Sequence, residues 1–540
     1  MSPLHKFLDW EKAIPNEIFL RQPFNGQWRT YTYRQAGDEI RRIATGLKSL
    51  PPRTHVALLS KNCMHWIMAD LAIMMSGHVS VPLYATLPAS SIRQILEHGD
   101  VGAIIVGKVD NYAEQRNGIP EGITRIGIGT YGIQEDIQWE SLARNTPLTD
   151  LHHWNPDDVF TIMYTSGTTG KFKGVMHTFG SFNTMASGAV NELGFHERPS
   201  LFSFLPLSHV AERIGIEMVG IYLGAQLSFP ESIETFSSDL INTQPHHFFA
   251  VPRLWTKMRE GILEKMPQQK LDTLLRLPLI GSLVKKTIKR KLGLARARRI
   301  YSGAAPLSIE TLAWFNKLGI EILQAYGLTE NSCSHLNRAG NNRPGTVGLP
   351  LSCFEVKIAD DGEVRVKSAG NMKGYYKEPE LTAAAFDDEH YLRTGDIGEI
   401  DSSGCLSITG RIKDQFKTDK GKYISPAPVE MQFTGYADVD QVCVVGMGIP
   451  QPIALVVLSV SGRARSPQQV EQGLTNLMTE INTRLESYER LTKAVVMKSD
   501  WTIENGLLTP TLKIKRNEIE RLKLPQYPEW YRTPGTVVWE

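Results

Sequence analysis

Short apolar runs alternate with longer amphipathic segments along the first three-quarters of the chain. Residues 56–59, 79–83, 103–106 and 160–164 are of strand length and mostly apolar, so they predict buried strands. Between them, 63–75, 90–98 and 181–190 carry helical patterns. The alternation returns at 248–251 followed by 252–264, and at 300–301 followed by 309–318. Strands that alternate with helices predict an α/β fold, with layers built on largely parallel sheets.

The texture changes after Gly410. Charge density rises through Arg411, Lys413, Asp414, Lys417, Asp419, Lys420 and Lys422. Strand-like runs follow at 441–445 and 453–460, then a helical pattern at 468–485. A separate α+β unit of small-domain size is expected, with its boundary near Lys413. The chain then divides into a large N-terminal domain of layered α/β subdomains over 1–412 and a smaller domain over 413–540.

Two apolar stretches raise the question of a membrane. Residues 66–85 are broken by Asp70, Gly77, His78 and Pro82, and read as a buried helix followed by a buried strand. The first fourteen residues contain Asp9, Glu11 and Lys12 and lack the continuous apolar centre of a signal peptide. A soluble protein is expected. Its net charge of +2 gives no global field toward nucleic acid, so no nucleic-acid partner is expected. The 5 cysteines are scattered without Cys-x-x-Cys spacing, which argues against a disulfide framework or a zinc site and for a reducing, cytoplasmic setting.

The most informative stretch, 164–174, reads Tyr-Thr-Ser-Gly-Thr-Thr-Gly-Lys-Phe-Lys-Gly. Glycines here let the backbone turn N–H groups toward an anion, and hydroxyls add donors. Lys171 and Lys173 add positive charge, so Thr165, Ser166, Gly167, Thr168, Thr169, Gly170, Lys171 and Lys173 suit the β- and γ-phosphates of ATP. Composition alone would also fit a surface turn. A Walker A pattern does not occur here.

The stretch resembles the phosphate-loop signature of the adenylate-forming superfamily, which includes acyl-CoA synthetases, luciferases and peptide-synthetase adenylation domains. Further segments are similar to that family's motifs, in order and over most of the chain. They are Leu-Pro-Leu-Ser-His at 205–209, Tyr-Ser-Gly-Ala-Ala-Pro at 301–306, Tyr-Gly-Leu-Thr-Glu at 326–330, Tyr-Leu-Arg-Thr-Gly-Asp at 391–396, Gly-Arg-Ile-Lys-Asp at 410–414 and Thr-Pro-Thr-Leu-Lys at 509–513.

The resemblance implies roles. His209 lies near the phosphates, while Gly303, Ala304 and Ala305 form the adenine turn. Tyr326, Gly327 and Thr329 contact the nucleotide, and Glu330 binds Mg2+. Asp396 holds the ribose hydroxyls, with Arg411 beside it, and Lys413 is the hinge of a mobile C-terminal domain. Lys513 is the catalytic lysine, with Lys515 as the alternative register because Leu512 stands where the family often has Gly. Lys417 and the turn at 421–423 serve the second step.

Each role also makes chemical sense alone. A carboxylate such as Asp396 accepts two hydrogen bonds from vicinal hydroxyls. Glu330 offers a hard oxygen suited to magnesium, and Arg411 can fork onto ribose or phosphate oxygens. Taken singly, Asp396 would read as a turn and Lys513 as part of a solvated basic tail; their joint occurrence argues otherwise.

The implied reaction activates a carboxylic acid with ATP and passes the acyl group to coenzyme A. The segments 205–213, 251–255, 343–350 and 508–516 are similar to the long-chain fatty acid–CoA ligase branch, so a medium- or long-chain fatty acid is the expected substrate. The alternative is a ligase that loads a carrier protein; little chain follows Lys513, so that carrier would be a separate protein. Gly127, Gly129 and Gly132 match Gly-x-Gly-x-x-Gly, but Pro147 interrupts the next segment and Asp150 sits in an apparent loop, so this match reads as a turn.

One segment stays open between two readings. From Thr273 to Ile309 no Asp or Glu occurs, and Lys285, Lys286, Lys289, Arg290, Lys291, Arg296, Arg298 and Arg299 interleave with Leu and Ile. That mixture fits an interfacial helix in peripheral membrane contact, or a surface helix packed on its own domain and broken at Pro278 and Gly281.

Overall fold

Helix Met64–Ser76 is buried at all thirteen positions and ends at Gly77, whose φ of 86° only glycine adopts freely. A helix apolar all round needs cover on every side, and a sheet lies on each side of it. In the computed structural model every residue is described except Met1, 167–171, 195–197, 504 and 510–512, with the side chains of Ser166 and Leu193 also outside the description.

The first sheet has nine strands and runs from Leu349–Pro350 at one edge to Gln27–Thr32 at the other. Its centre is parallel: Leu323–Tyr326, Arg299–Ser302, His247–Ala250, Ser200–Phe202, Gln226–Ser228 and Ile18–Phe24 lie side by side. The second has eight strands, with Val159–Ser166, Val79–Leu83, His55–Leu59 and Val101–Val106 as its parallel centre. The strands and helices expected from the pattern are present, and the stretch 66–85 splits into a helix and a strand. No helix among the described residues is long and apolar enough to cross a membrane.

Alternation along the strands assigns the layers. Val56 and Leu58 enter the central core, while Ala57 and Leu59 face an outer one. Phe249 and Tyr301 likewise point to the centre, and Phe248, Ala250 and Ile300 point outward. Helices fill the space between the sheets and cover both outer faces, giving five layers.

A third sheet, of four antiparallel strands, was not expected from the sequence pattern: Glu355–Ile358, Glu363–Lys367, Leu392–Ile400 and Leu406–Arg411. A short turn, Ile412–Asp414, then leads to the hairpin Phe416–Lys417 and Tyr423–Ile424. Beyond it a four-stranded mixed sheet carries helix Pro467–Asn482 on one face and Arg516–Lys523 on the other. The Arg253 guanidinium of the large domain meets the Asp440 carboxylate of this unit at 3.2 Å.

The glycine match at 127–132 is a turn. Gly127 ends a strand and Gly132 closes a single 3-10 turn at φ 77°, so no helix opens there. The turn's N–H groups at Gly129 and Thr130 donate to Glu140 at 3.2 and 2.9 Å, so a carboxylate occupies the place a phosphate would need.

Candidate active site

The loops singled out by their residues leave the C-terminal ends of strands. Ser200–Phe202 leads toward His209, Arg299–Ser302 into Gly303, and Leu323–Tyr326 into Gly327. Parallel strands present such loops along one edge, where α/β proteins form their ligand crevices. Val159–Ser166 leads into the glycine-rich stretch, and on either side of it Thr165 pairs with Lys173 and Ser166 with Phe172 across antiparallel strands. Gly167, Thr168, Thr169, Gly170 and Lys171 lie outside the described residues.

Two groups of side chains meet at this edge. In the first, the Tyr375 hydroxyl donates to Glu330 Oε1 at 2.9 Å, and the Lys173 ammonium stands 5.3 Å from the centre of the Tyr375 ring. The main chain of Glu330 is fixed too, since its carbonyl accepts from Met372 N at 2.7 Å. Buried His177 lies 2.7 Å through Nε2 from the Thr329 carbonyl, and burial pushes its pKa down to about 4, so a neutral ring donates there. Gly327 is required by space: a Cβ would fall 2.2 Å from the Ser332 carbonyl oxygen. Ala304 holds φ 67°, a left-handed conformation that costs a non-glycine residue about 1–2 kcal/mol.

The second group centres on Asp396. Its carboxylate is buried and accepts from the Tyr326 hydroxyl at 2.6 Å and from Arg411 Nε at 2.7 Å. The pairing of Asp396 with Arg411 across neighbouring strands sets this geometry. Burial first, then the Asp396 charge, raises the Tyr326 phenol well above its usual range, so it stays a donor.

Lys513 arrives from the small domain. Thr509 N donates to its carbonyl at 2.8 Å, and Lys513 N donates to Thr509 Oγ1 at 3.0 Å. Water reaches the residue, yet surrounding protein lowers its pKa; desolvation leads, the Arg411 charge adds to it, and Asp396 opposes it. The same ammonium acts on His209, which burial and then the Lys513 charge push down to about 3. The Lys513 ammonium is therefore within electrostatic range of His209, and of the bonded pair Asp396 and Arg411. Lys515 instead precedes helix Arg516–Lys523. Lys413 is exposed in the connecting turn, and Lys417 is exposed on its hairpin, 5.4 Å from the Tyr423 ring centre.

Comparison with known proteins identifies the architecture. The AMP-binding enzyme profile matches residues 8–376, and the AMP-binding enzyme C-terminal domain profile matches 413–522. The chain belongs to the AMP-binding enzyme family. It is 29% identical over 567 residues to the peroxisomal long chain acyl-CoA synthetase 7 of Arabidopsis thaliana, covering 91% of this chain and 80% of that protein. It is 27% identical over 565 residues to the long-chain-fatty-acid–CoA ligase FadD15 of Mycobacterium bovis, covering 94% and 93%. Its fold matches the A-PCP didomain of carboxylic acid reductase from Segniliparus rugosus in complex with AMP, with a TM-score of 0.83 at 20% identity, over 98% of this chain and 82% of that one.

The contacts that support this AMP-binding enzyme's 205–213 segment were not legible from sequence. Asn62 donates to the Leu205 carbonyl at 2.6 Å and accepts from Leu207 N at 3.3 Å, fixing the segment before His209. Glu212 accepts from Ser203 Oγ at 2.7 Å and Phe204 N at 2.9 Å, and burial pushes its pKa up to about 8. Arg213 places Nη2 2.8 Å from both Asp70 oxygens in the central layer. Asp70 thus interrupts an apolar stretch because a buried guanidinium answers it. Asn62 and Asp70 lie more than 140 residues from their partners in the 203–213 stretch, so no local pattern signals those contacts.

The donors fit a magnesium ion that rides on phosphates. No group of three or more His, Cys, Asp or Glu side chains among the described residues gathers as a metal cage. Glu330 offers one carboxylate with the Thr329 hydroxyl next to it, and magnesium is commonly held by one or two carboxylates plus phosphate oxygens.

Proposed function

We propose that this enzyme activates a medium- or long-chain fatty acid with ATP, releases pyrophosphate and transfers the acyl group to coenzyme A. The observation that carries the reading is the Asp396 carboxylate held by Tyr326 and Arg411 at the strand ends, with the Lys513 ammonium in electrostatic range of Asp396, Arg411 and His209. The fatty acid is supported by the likeness to long-chain acyl-CoA synthetases over most of both chains.

A carboxylate oxygen attacks the α-phosphorus, and the bond from that phosphorus to the bridging oxygen breaks. Pyrophosphate leaves and an acyl-adenylate forms. Both reactants are anionic, so neutralising charge is the main task. Lys513 bridges the acid's carboxylate and the α-phosphate. Asp396 accepts from the ribose hydroxyls, oriented by Tyr326 and Arg411. The turn at Gly303, Ala304 and Ala305 packs on the adenine, and Tyr326 and Gly327 line the same face. Neutral His209, Thr329 and the loop from Thr165 to Lys173 hold the phosphates. Glu330, steadied by Tyr375, would hold Mg2+, which supplies positive charge to the phosphate oxygens when bound.

In the second step a thiolate, its proton lost to water, attacks the acyl carbonyl; the carbon–sulfur bond forms and AMP leaves. Lys417 and its hairpin stand exposed, so the small domain must turn about Lys413 to present them, a hinge motion of the μs–ms kind. The test is pyrophosphate release across a panel of acids of different length, with and without coenzyme A. Release with fatty acids and thioester formation only with coenzyme A are expected. Release with fatty acids but no thioester would move the acceptor to a carrier protein, and no release with any acid would overturn the reading.

A further inference from the structure

A surface outside the residues of the candidate site has its own chemistry. Helices Gln268–Leu275 and Pro278–Lys291 form a tight pair: Pro278 opens the second helix rather than breaking it, and a Cβ at Gly281 would lie 2.7 Å from the Leu275 carbonyl oxygen. One side of the second helix packs inward, with Val284, Ile288 and Leu292 against the outer core that contains Trp255 and Phe315. The other side is bare. Leu277, Leu279, Ile280 and Leu283 are 44%, 88%, 45% and 65% exposed, whereas the other exposed large apolar residues are scattered along the chain. Isolated exposed apolar residues need no explanation, but four within seven residues, held out by a helix pair, do.

Charge completes the surface. Leu279, Leu283, Lys286 and Arg290 share one side of the helix, so an apolar tip passes into a basic shaft. Lys286, Arg290 and Lys291 are exposed, and Lys285 and Lys289 are half-buried. None of Arg276, Lys286, Arg290 and Lys291 has an ion-pair partner among the described residues, and no acid occurs from Thr273 to Ile309. Large apolar side chains flanked by unpaired cations match the interface of an anionic bilayer, with leucines among acyl chains and cations at head groups. A protein partner for the apolar tip alone would not call for the uninterrupted positive charge.

We propose that the tip of helix Pro278–Lys291 docks this enzyme reversibly on anionic lipid surfaces. This reading stands on the surface itself and is independent of the acid that is activated. On this proposal one side of the helix packs on its own domain and the other faces lipid.

The test is sedimentation of the full chain with vesicles of phosphatidylcholine mixed with phosphatidylglycerol, against phosphatidylcholine alone. The wild type should sediment with the anionic vesicles at low salt and be released as salt rises. Leu279→Ser with Leu283→Ser should weaken partitioning about tenfold or more, since each leucine loses its apolar burial. Lys286→Glu with Arg290→Glu should abolish the preference for anionic vesicles. All these side chains are exposed, and unchanged thermal unfolding would show that the variants remain folded. Failure of the wild type to bind anionic vesicles, or equal binding by the variants, would overturn the proposal. So would analytical ultracentrifugation showing a dimer that Leu279→Ser dissociates, because the leucines would then cover a second copy.

Discussion

The Tyr326 hydroxyl and Asp396 Oδ2 are 2.6 Å apart, and this contact ties the end of a parallel strand in the large sheet to the antiparallel sheet beside it. With Arg411 on the other oxygen, the carboxylate is oriented before any ligand arrives. Tyr326→Phe removes one hydrogen bond to a charged acceptor, of about 1.5–3 kcal/mol. Affinity for a non-hydrolysable ATP analogue should fall about tenfold or more with the fold intact, as read by calorimetric titration. Unchanged affinity would remove Tyr326 from the nucleotide site.

Lys513 should matter to only one of the two steps. Lys513→Ala is expected to slow adenylate formation by about 10²–10³, the usual range for a lost transition-state donor. Thioester formation from supplied acyl-adenylate should remain near the wild-type rate. Lys515→Ala should leave both steps nearly unchanged. If Lys515→Ala fails in the first step and Lys513→Ala does not, the register is wrong by two residues.

The Arg253–Asp440 ion pair joins the domains in the arrangement that keeps Lys513 at the cleft. Both side chains are partly exposed, so the pair is worth about 1 kcal/mol at most. Arg253→Asp should slow the first step about two- to fivefold by favouring other domain orientations. The exchange Arg253→Asp with Asp440→Arg should restore it in rapid-quench assays. A double variant slower than the single one would show that the pair does not set the arrangement.

Buried titratable groups should give stability a pH dependence of two opposite signs. Burial pushes His65, His177 and His247 down to about 4 and His335 to about 3. From their ordinary value of 6.5 down to those values the unfolded chain holds more protons, so acid destabilises the fold. Glu212 runs the other way: burial raises it from 4.5 to about 8, so the folded state keeps a proton that the unfolded chain releases. Its contribution is lost as pH rises from about 4.5 through 8. Glu212→Gln keeps the acceptor oxygen and removes this titration, so the melting temperature should gain a more positive slope with pH between about 4.5 and 8. An unchanged slope across that window would contradict this.

Local pattern reached a definite part of this protein. The strand at 79–83 and the helix that begins at Pro252 were legible because short apolar runs and a helix-opening proline are local signals. The antiparallel sheet between Glu355 and Arg411 was not, because Glu355–Ile358 and Glu363–Lys367 are short and studded with charge. The motif residues around Asp396 and Glu330 could be named from sequence, but their supports could not. His177 and Thr329 lie 152 residues apart, and Tyr375 and Glu330 lie 45 apart. The Lys513 charge reaches Arg411 and His209 only through the orientation of a second domain, which no periodicity encodes.

Attack of an acid's carboxylate oxygen on the α-phosphorus of ATP can be followed directly with isotope. Enzyme, Mg-ATP and coenzyme A should be mixed with a fatty acid labelled with ¹⁸O in both carboxyl oxygens, and the products read by mass spectrometry. One labelled oxygen is predicted to appear in the phosphoryl group of AMP, with the other kept in the thioester and none in pyrophosphate. Label in inorganic phosphate accompanied by ADP would mean attack at the γ-phosphorus and would contradict the account.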